Sequence, residues 1–200
     1  MYIVHSVRKA DIVNEWGPQN GIRPNADPET SVLFMIAKVT VTLVCSAEPA
    51  ALWSLITDPT RIGDFSDECV LGEWILPFSE PSVGARFQGT NQAQLSDGRV
   101  YQWTRPCTIT IHEPIRRYAY LTHDRWDEPA SQWKFDLSWS GDETRVTHSF
   151  EHLPEGLSGT RMAIEALAPD NRRGALDKRL AAIEVGMKVT LARMAERCSS

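Results

Sequence analysis

The sequence predicts an α+β fold in which a curved antiparallel β-sheet wraps around a long C-terminal α-helix, with two short helices after the first strand. Three observations carry this reading. From Lys38 to His152, short segments alternate apolar and polar residues with a period of two, separated by turn residues, so that hairpin follows hairpin. After Asp170 the period becomes helical: Leu176, Leu180, Ile183, Met187, Leu191 and Met194 recur at intervals of four and three. A helix from Asp170 to Arg197, roughly 40 Å long at about 1.5 Å per residue, needs a broad apolar partner, and the sheet is the one available.

The elements follow in order. Lys38 to Cys45 sets Val39, Val41, Leu43 and Cys45 against Thr40, Thr42 and Val44, a half-buried strand. Pro49 suits a first helical turn, and Ala50 to Ile56 reads as a short helix with Leu52, Trp53 and Ile56 on its apolar face. Asp58-Pro59 ends it, and a second turn spans Thr60 to Asp64. Strands are expected at Cys69 to Leu76, Gly84 to Asn91 and Val100 to His112, the last two joined by a Ser96-Asp97-Gly98 turn. Pro106 within the third signals a bulge or an edge. Further strands run from Arg117 to His123, Ser131 to Trp139 and Arg145 to His152. Leu157 to Leu167 suggests a short helix, and Asp170 is the expected N-cap of the long one.

Composition narrows the functional classes. With 200 residues, 42% hydrophobic and 24% charged, the chain suits one soluble domain with a substantial core. A formal charge of −5, spread along the chain, argues against nucleic acid as a partner. No apolar run is long enough to span a membrane, and no secretory signal is evident. Cys45, Cys69, Cys107 and Cys198 are far apart and read as reduced residues of a cytoplasmic protein. Residues 1–36, rich in Gly and Pro at first and without either period, are expected to be a poorly ordered or loosely packed extension to a domain spanning 37–198.

Several segments together carry a family resemblance. They are Ala47 to Pro59 (AEPAALWSLITDP), Thr57 to Cys69 (TDPTRIGDFSDEC), Val83 to Asn91 (VGARFQGTN), Gly141 to Phe150 (GDETRVTHSF) and Met187 to Leu191 (MKVTL). In order and spacing the chain resembles the START/SRPBCC (Bet v1-like) superfamily, and within it the actinobacterial proteins grouped as polyketide cyclase/dehydrase-like. The resemblance covers about Lys38 to Arg197. It implies a helix-grip fold enclosing a cavity for a small hydrophobic molecule, whether polyketide-like, aromatic or lipid. The chain has Asp64-Phe65 where the small-aromatic version of the family has Glu-Trp, and it lacks the iron–sulfur and non-haem iron motifs of the oxygenase members.

The candidate ligand-binding residues are Trp53, Phe65, Glu68, Phe87, Tyr101, Trp103, Arg105, Trp133, Phe135, His148, Phe150, Ile183 and Met187. Strand parity turns Trp103, Trp133 and Trp139 inward. His148 shares a face with Val146 and Phe150, so it is a candidate acid or base, with Arg105 and Tyr101 as stabilisers of an enolate. Tyr118, Tyr120 and His123 share a strand whose inward parity the sequence leaves open. Asp67 and Glu68 fall where the resemblance puts the cavity mouth. His148 and His152 lie on a strand, roughly 13 Å apart over four residues, so no metal site is expected, nor any cofactor. The first functional reading is a carrier or sensor of a hydrophobic ligand; the alternatives are a polyketide cyclase or dehydratase and a protein-interaction module.

Overall fold

The computed structural model describes residues 28–35, 37–94 and 98–199, together with residue 25. Most of the expected N-terminal extension, and the Ser96-Asp97 part of the expected hairpin turn, lie outside the described residues. The elements are α1 (Pro28–Met35), β1 (Lys38–Cys45), α2 (Pro49–Thr57), a 3-10 helix (Pro59–Asp64), β2 (Cys69–Trp74), β3 (Arg86–Gln94), β4 (Val100–Glu113), β5 (Arg117–His123), β6 (Pro129–Ser140), β7 (Glu143–His152), α3 (Gly159–Glu165) and α4 (Pro169–Cys198).

All seven strands form one antiparallel sheet in the order β1-β7-β6-β5-β4-β3-β2. Its two edges, β1 and β2, are consecutive in sequence, so α2 and the 3-10 helix must carry the chain from one edge to the other. Register shifts at Cys69/Leu71, Ile109/Ile111 and Thr122/His123 mark irregularities of the kind that bend a sheet. α4 packs along β1 and buries Leu176, Ile183, Met187, Leu191 and Met194, five of the six residues of the expected stripe. The 3-10 helix lies so close to β2 that a Cβ on Gly72 would stand 2.0 Å from the Pro59 carbonyl oxygen. Only glycine permits that approach.

Local details differ from the sequence reading. α4 begins at Pro169 after Ala168, which makes no side-chain cap; Asp170 lies within the first turn and complements the helix dipole there. Pro106 is paired with Gln88 inside the β3–β4 ladder, and the register shift comes at Ile109/Ile111 instead. The β4–β5 ladder begins at Cys107, so Pro106 sits just beyond it, where β4 is locally an edge. Trp139 keeps its parity but lies near the end of β6, 48% exposed. Residues 28–35, which show no period, form α1, and Phe34 is fully buried with Ala37, Ile164 and Leu176 in a second, smaller core.

Candidate functional site

A cavity of about 450 Å³ lies between the sheet and α4, with walls completed by α2, the 3-10 helix and α3. Strand register arranges the sheet residues in rows. Val41, His148, Phe135 and Tyr118 form one row, and Val39, Phe150, Trp133 and Tyr120 form the next. A third consists of His152, Ser131, Thr122, Cys107 and Phe87. On β3 and β4, Gly89 stands opposite Arg105, Asn91 opposite Trp103 and Ala93 opposite Tyr101. The aromatic rings touch one another: Trp133 and Phe150 have centroids 4.6 Å apart, Phe87 and Tyr120 5.2 Å, and Tyr101 stacks on Trp103 at 5.5 Å.

Of the thirteen residues singled out from the sequence, Glu68, Phe87, Tyr101, Trp103, Arg105, Trp133, Phe135, His148, Phe150, Ile183 and Met187 line this cavity. Trp53 and Phe65 do not; both are buried in the adjoining core. Trp53 packs against His112 and Tyr118, while Leu55 and Ile56 of the same helix face the cavity. Phe65 closes the 3-10 helix, and its carbonyl accepts a hydrogen bond from Arg193 of α4 at 3.0 Å.

The inward parity of β5 is settled by Tyr118, Tyr120 and Thr122, and the register shift after Thr122 brings His123 to the same wall. Burial pushes both tyrosine hydroxyls well above their ordinary pKa, so they remain protonated. His123 is a fixed structural group: Nε2 pairs with the Thr108 hydroxyl at 2.9 Å and Nδ1 with the Asp127 carbonyl at 3.0 Å. Sequence reasoning missed His152 and Arg179 as wall residues. His152 follows His148 and Phe150 in strict alternation, a signal that was available.

At the Glu68 side, α4 is clamped to the segment before β2. Arg179 donates to both carboxylate oxygens of Glu68, at 2.8 and 2.5 Å, and Arg193 donates to Asp67 at 2.7 Å. These acids therefore belong to ion pairs linking loop and helix.

His148 is the most constrained polar group of the wall. Its ring stacks on Phe135 with centroids 3.9 Å apart and leans on Trp133 at 5.5 Å. Both ring nitrogens are buried with no hydrogen-bond partner among the described residues, as is Nε2 of His152. Burial pushes His148 down to about 3 and His152 to about 4, so both rings are neutral at physiological pH. The Cys69 thiol, also on the wall, is pushed up to about 12 by burial, with Glu68 adding to the shift, so it is a poor nucleophile. Among the described residues, no group of three or more His, Cys, Asp or Glu is placed to hold a metal ion. No helix among them is long and apolar enough to cross a membrane.

No protein-family model matches the chain, and no curated protein matches it in sequence. Solved structures do match. A Polyketide_cyc-like protein of Corynebacterium glutamicum is 23% identical with a TM-score of 0.55, covering 80% of this chain and 89% of its own. The Zhui aromatase/cyclase of a Streptomyces species is 15% identical with a TM-score of 0.55, covering 81% and 93%. A protein of Mycobacterium smegmatis is 16% identical with a TM-score of 0.51, covering 88% and 95%. At these identities the likeness is one of fold. The chain has the helix-grip fold that the polyketide cyclase-like proteins share.

Proposed function

We propose that the protein binds a small hydrophobic, aromatic molecule in this cavity, as a cytoplasmic carrier or sensor. The observation that carries the reading is a volume of about 450 Å³ walled by Phe87, Tyr101, Trp103, Tyr120, Trp133, Phe135 and Phe150. Such a size and a mainly apolar lining are usual for small-molecule sites.

A cyclase-type enzyme is the second reading, favoured by the presence of Arg105, Tyr101 and His148 in one cavity. It requires His148 to move protons. With a pKa near 3, protonating that ring at pH 7 costs on the order of 5 kcal/mol. Its nitrogens are also enclosed by protein. Both facts support binding over acid–base chemistry at His148.

The test is titration with the neutral fluorophore N-phenyl-1-naphthylamine. The wild-type protein is expected to bind it, and Trp133→Ala to bind it about tenfold more weakly, the loss expected for one large aromatic anchor. Wild-type affinity in a Trp133→Ala variant that still unfolds cooperatively would remove Trp133 from the binding wall. Failure of the wild type to take up the probe would argue for a protein-interaction role.

A further inference from the structure

Two guanidinium groups line the cavity among the described residues, and they are in opposite states. Arg179 is neutralised by both oxygens of Glu68. Arg105 has no carboxylate partner among the described residues; its one hydrogen bond there runs from Nη1 to the neighbouring Thr104 carbonyl at 2.8 Å. A guanidinium has five N–H donors in a fork that fits a carboxylate or sulfonate, so most of Arg105's capacity is unused. The local geometry leaves space for an acceptor. The β4–β5 ladder begins at Cys107, so no β5 residue stands opposite Arg105, and its β3 neighbour is Gly89, which also lines the cavity.

The other charges nearby do not neutralise Arg105. Asp124 is within electrostatic reach, but it is buried and its carboxylate accepts the backbone N–H groups of Trp126, Glu128 and Leu157 at 2.8, 3.1 and 2.9 Å. Arg125 repels Arg105, while its own guanidinium lies over the Trp126 ring, 4.1 Å from its centroid. Asp58, the other carboxylate of the wall, accepts from the Thr60 N–H at 3.0 Å and hydroxyl at 2.7 Å. Burial disfavours the charged form of Arg105, and an anionic partner would relieve that cost.

We infer that the ligand is an aromatic anion, a multi-ring molecule carrying one carboxylate, sulfonate or phenolate, with the anionic group on Arg105 and the rings against Phe87, Tyr120, Trp133 and Phe150. This inference rests on the cavity being a hydrophobic binding site, and it adds the charge of the ligand.

N-phenyl-1-naphthylamine and its 8-sulfonate, 1-anilinonaphthalene-8-sulfonate, differ by the anionic group alone and separate the two ideas. The wild-type protein is expected to bind the sulfonate at least about tenfold more tightly than the neutral parent, as a charge-assisted hydrogen bond predicts. Raising the ionic strength should weaken the sulfonate and leave the neutral compound unchanged. Arg105→Gln should remove the preference by weakening the sulfonate about tenfold more than the neutral compound, a selectivity that generalised loosening of the fold would not produce. Equal wild-type affinities for the two probes, a preference insensitive to salt, or an Arg105→Gln variant that keeps the preference would each overturn the inference. A wild-type protein that binds the neutral probe without discriminating leaves the hydrophobic site standing and overturns only its charge preference. A protein that binds neither loses both.

Discussion

Lowering the pH from 7.5 to 5 is expected to remove about 4 kcal/mol of folding stability, about 2 kcal/mol from each of His148 and His152. Both imidazoles have folded-state pKa values, about 3 and about 4, below the ordinary 6.5 of the unfolded chain. Between those values the unfolded state binds more protons than the folded one, so stability rises with pH there. The full stability is present above pH 6.5 and is lost progressively as the pH falls towards the folded values. Carboxylates contribute little to this window, because their ordinary pKa values lie near 4. Urea unfolding across the pH range measures the slope. His148→Leu should roughly halve it and, by replacing an imidazole whose two nitrogens lack partners with an apolar side chain, should cost little at pH 7.5. An unchanged slope in that variant would show that His148 is accessible to protons in the folded state.

The same histidines show what was legible in the sequence. Alternation along β6 and β7 placed Trp133, Phe135, His148 and Phe150 on one face, and the ladder register puts them in adjacent rows. Strand period is a local property, so it survives without knowledge of neighbours. The long helix was legible for the same reason. What failed depended on partners distant in sequence. Parity alone turned Trp139 inward, but it cannot say where the neighbouring wall ends. Trp53 sits on the apolar face of α2, and only the path of α2 relative to the sheet decides that Leu55 and Ile56, and not Trp53, reach the cavity. Glu68 lines the cavity, but its pairing with Arg179 joins residues 111 positions apart. The helix α1 was hidden because one of its buried positions is polar: Thr30 and Phe34, one turn apart, are both buried, and a hydrophobicity pattern registers only the second.

Arg161→Met is expected to cost about 3 kcal/mol, because Arg161 is fully buried and fully engaged. Its Nε donates to Glu165 at 3.0 Å, one turn along α3, and Nη1 donates to the carbonyls of Pro154 and Gly156 at 2.7 and 3.4 Å. The guanidinium also lies 5.7 Å from the centroid of the Phe34 ring, so it joins the loop after β7, α3 and α1. Methionine fills comparable space but leaves Glu165, the part-buried Pro154 carbonyl and the buried Gly156 carbonyl without these donors, and an uncompensated buried polar group costs more than the net value of the bond it made. The Glu165 side chain is 19% exposed, which lets water relieve part of the loss and sets the expectation at the lower end for a broken buried pair. The effect should extend to the cavity. Phe34 meets His152 edge-on at 4.6 Å, and His152 is a wall residue. Loosening α1 therefore opens the wall at that end, and Arg161→Met should also raise the dissociation rate of a bound fluorophore. A stability loss below about 1 kcal/mol by urea unfolding would mean that packing alone holds α1 in place. A full loss with unchanged dissociation would confine Arg161 to the fold and separate α1 from the site.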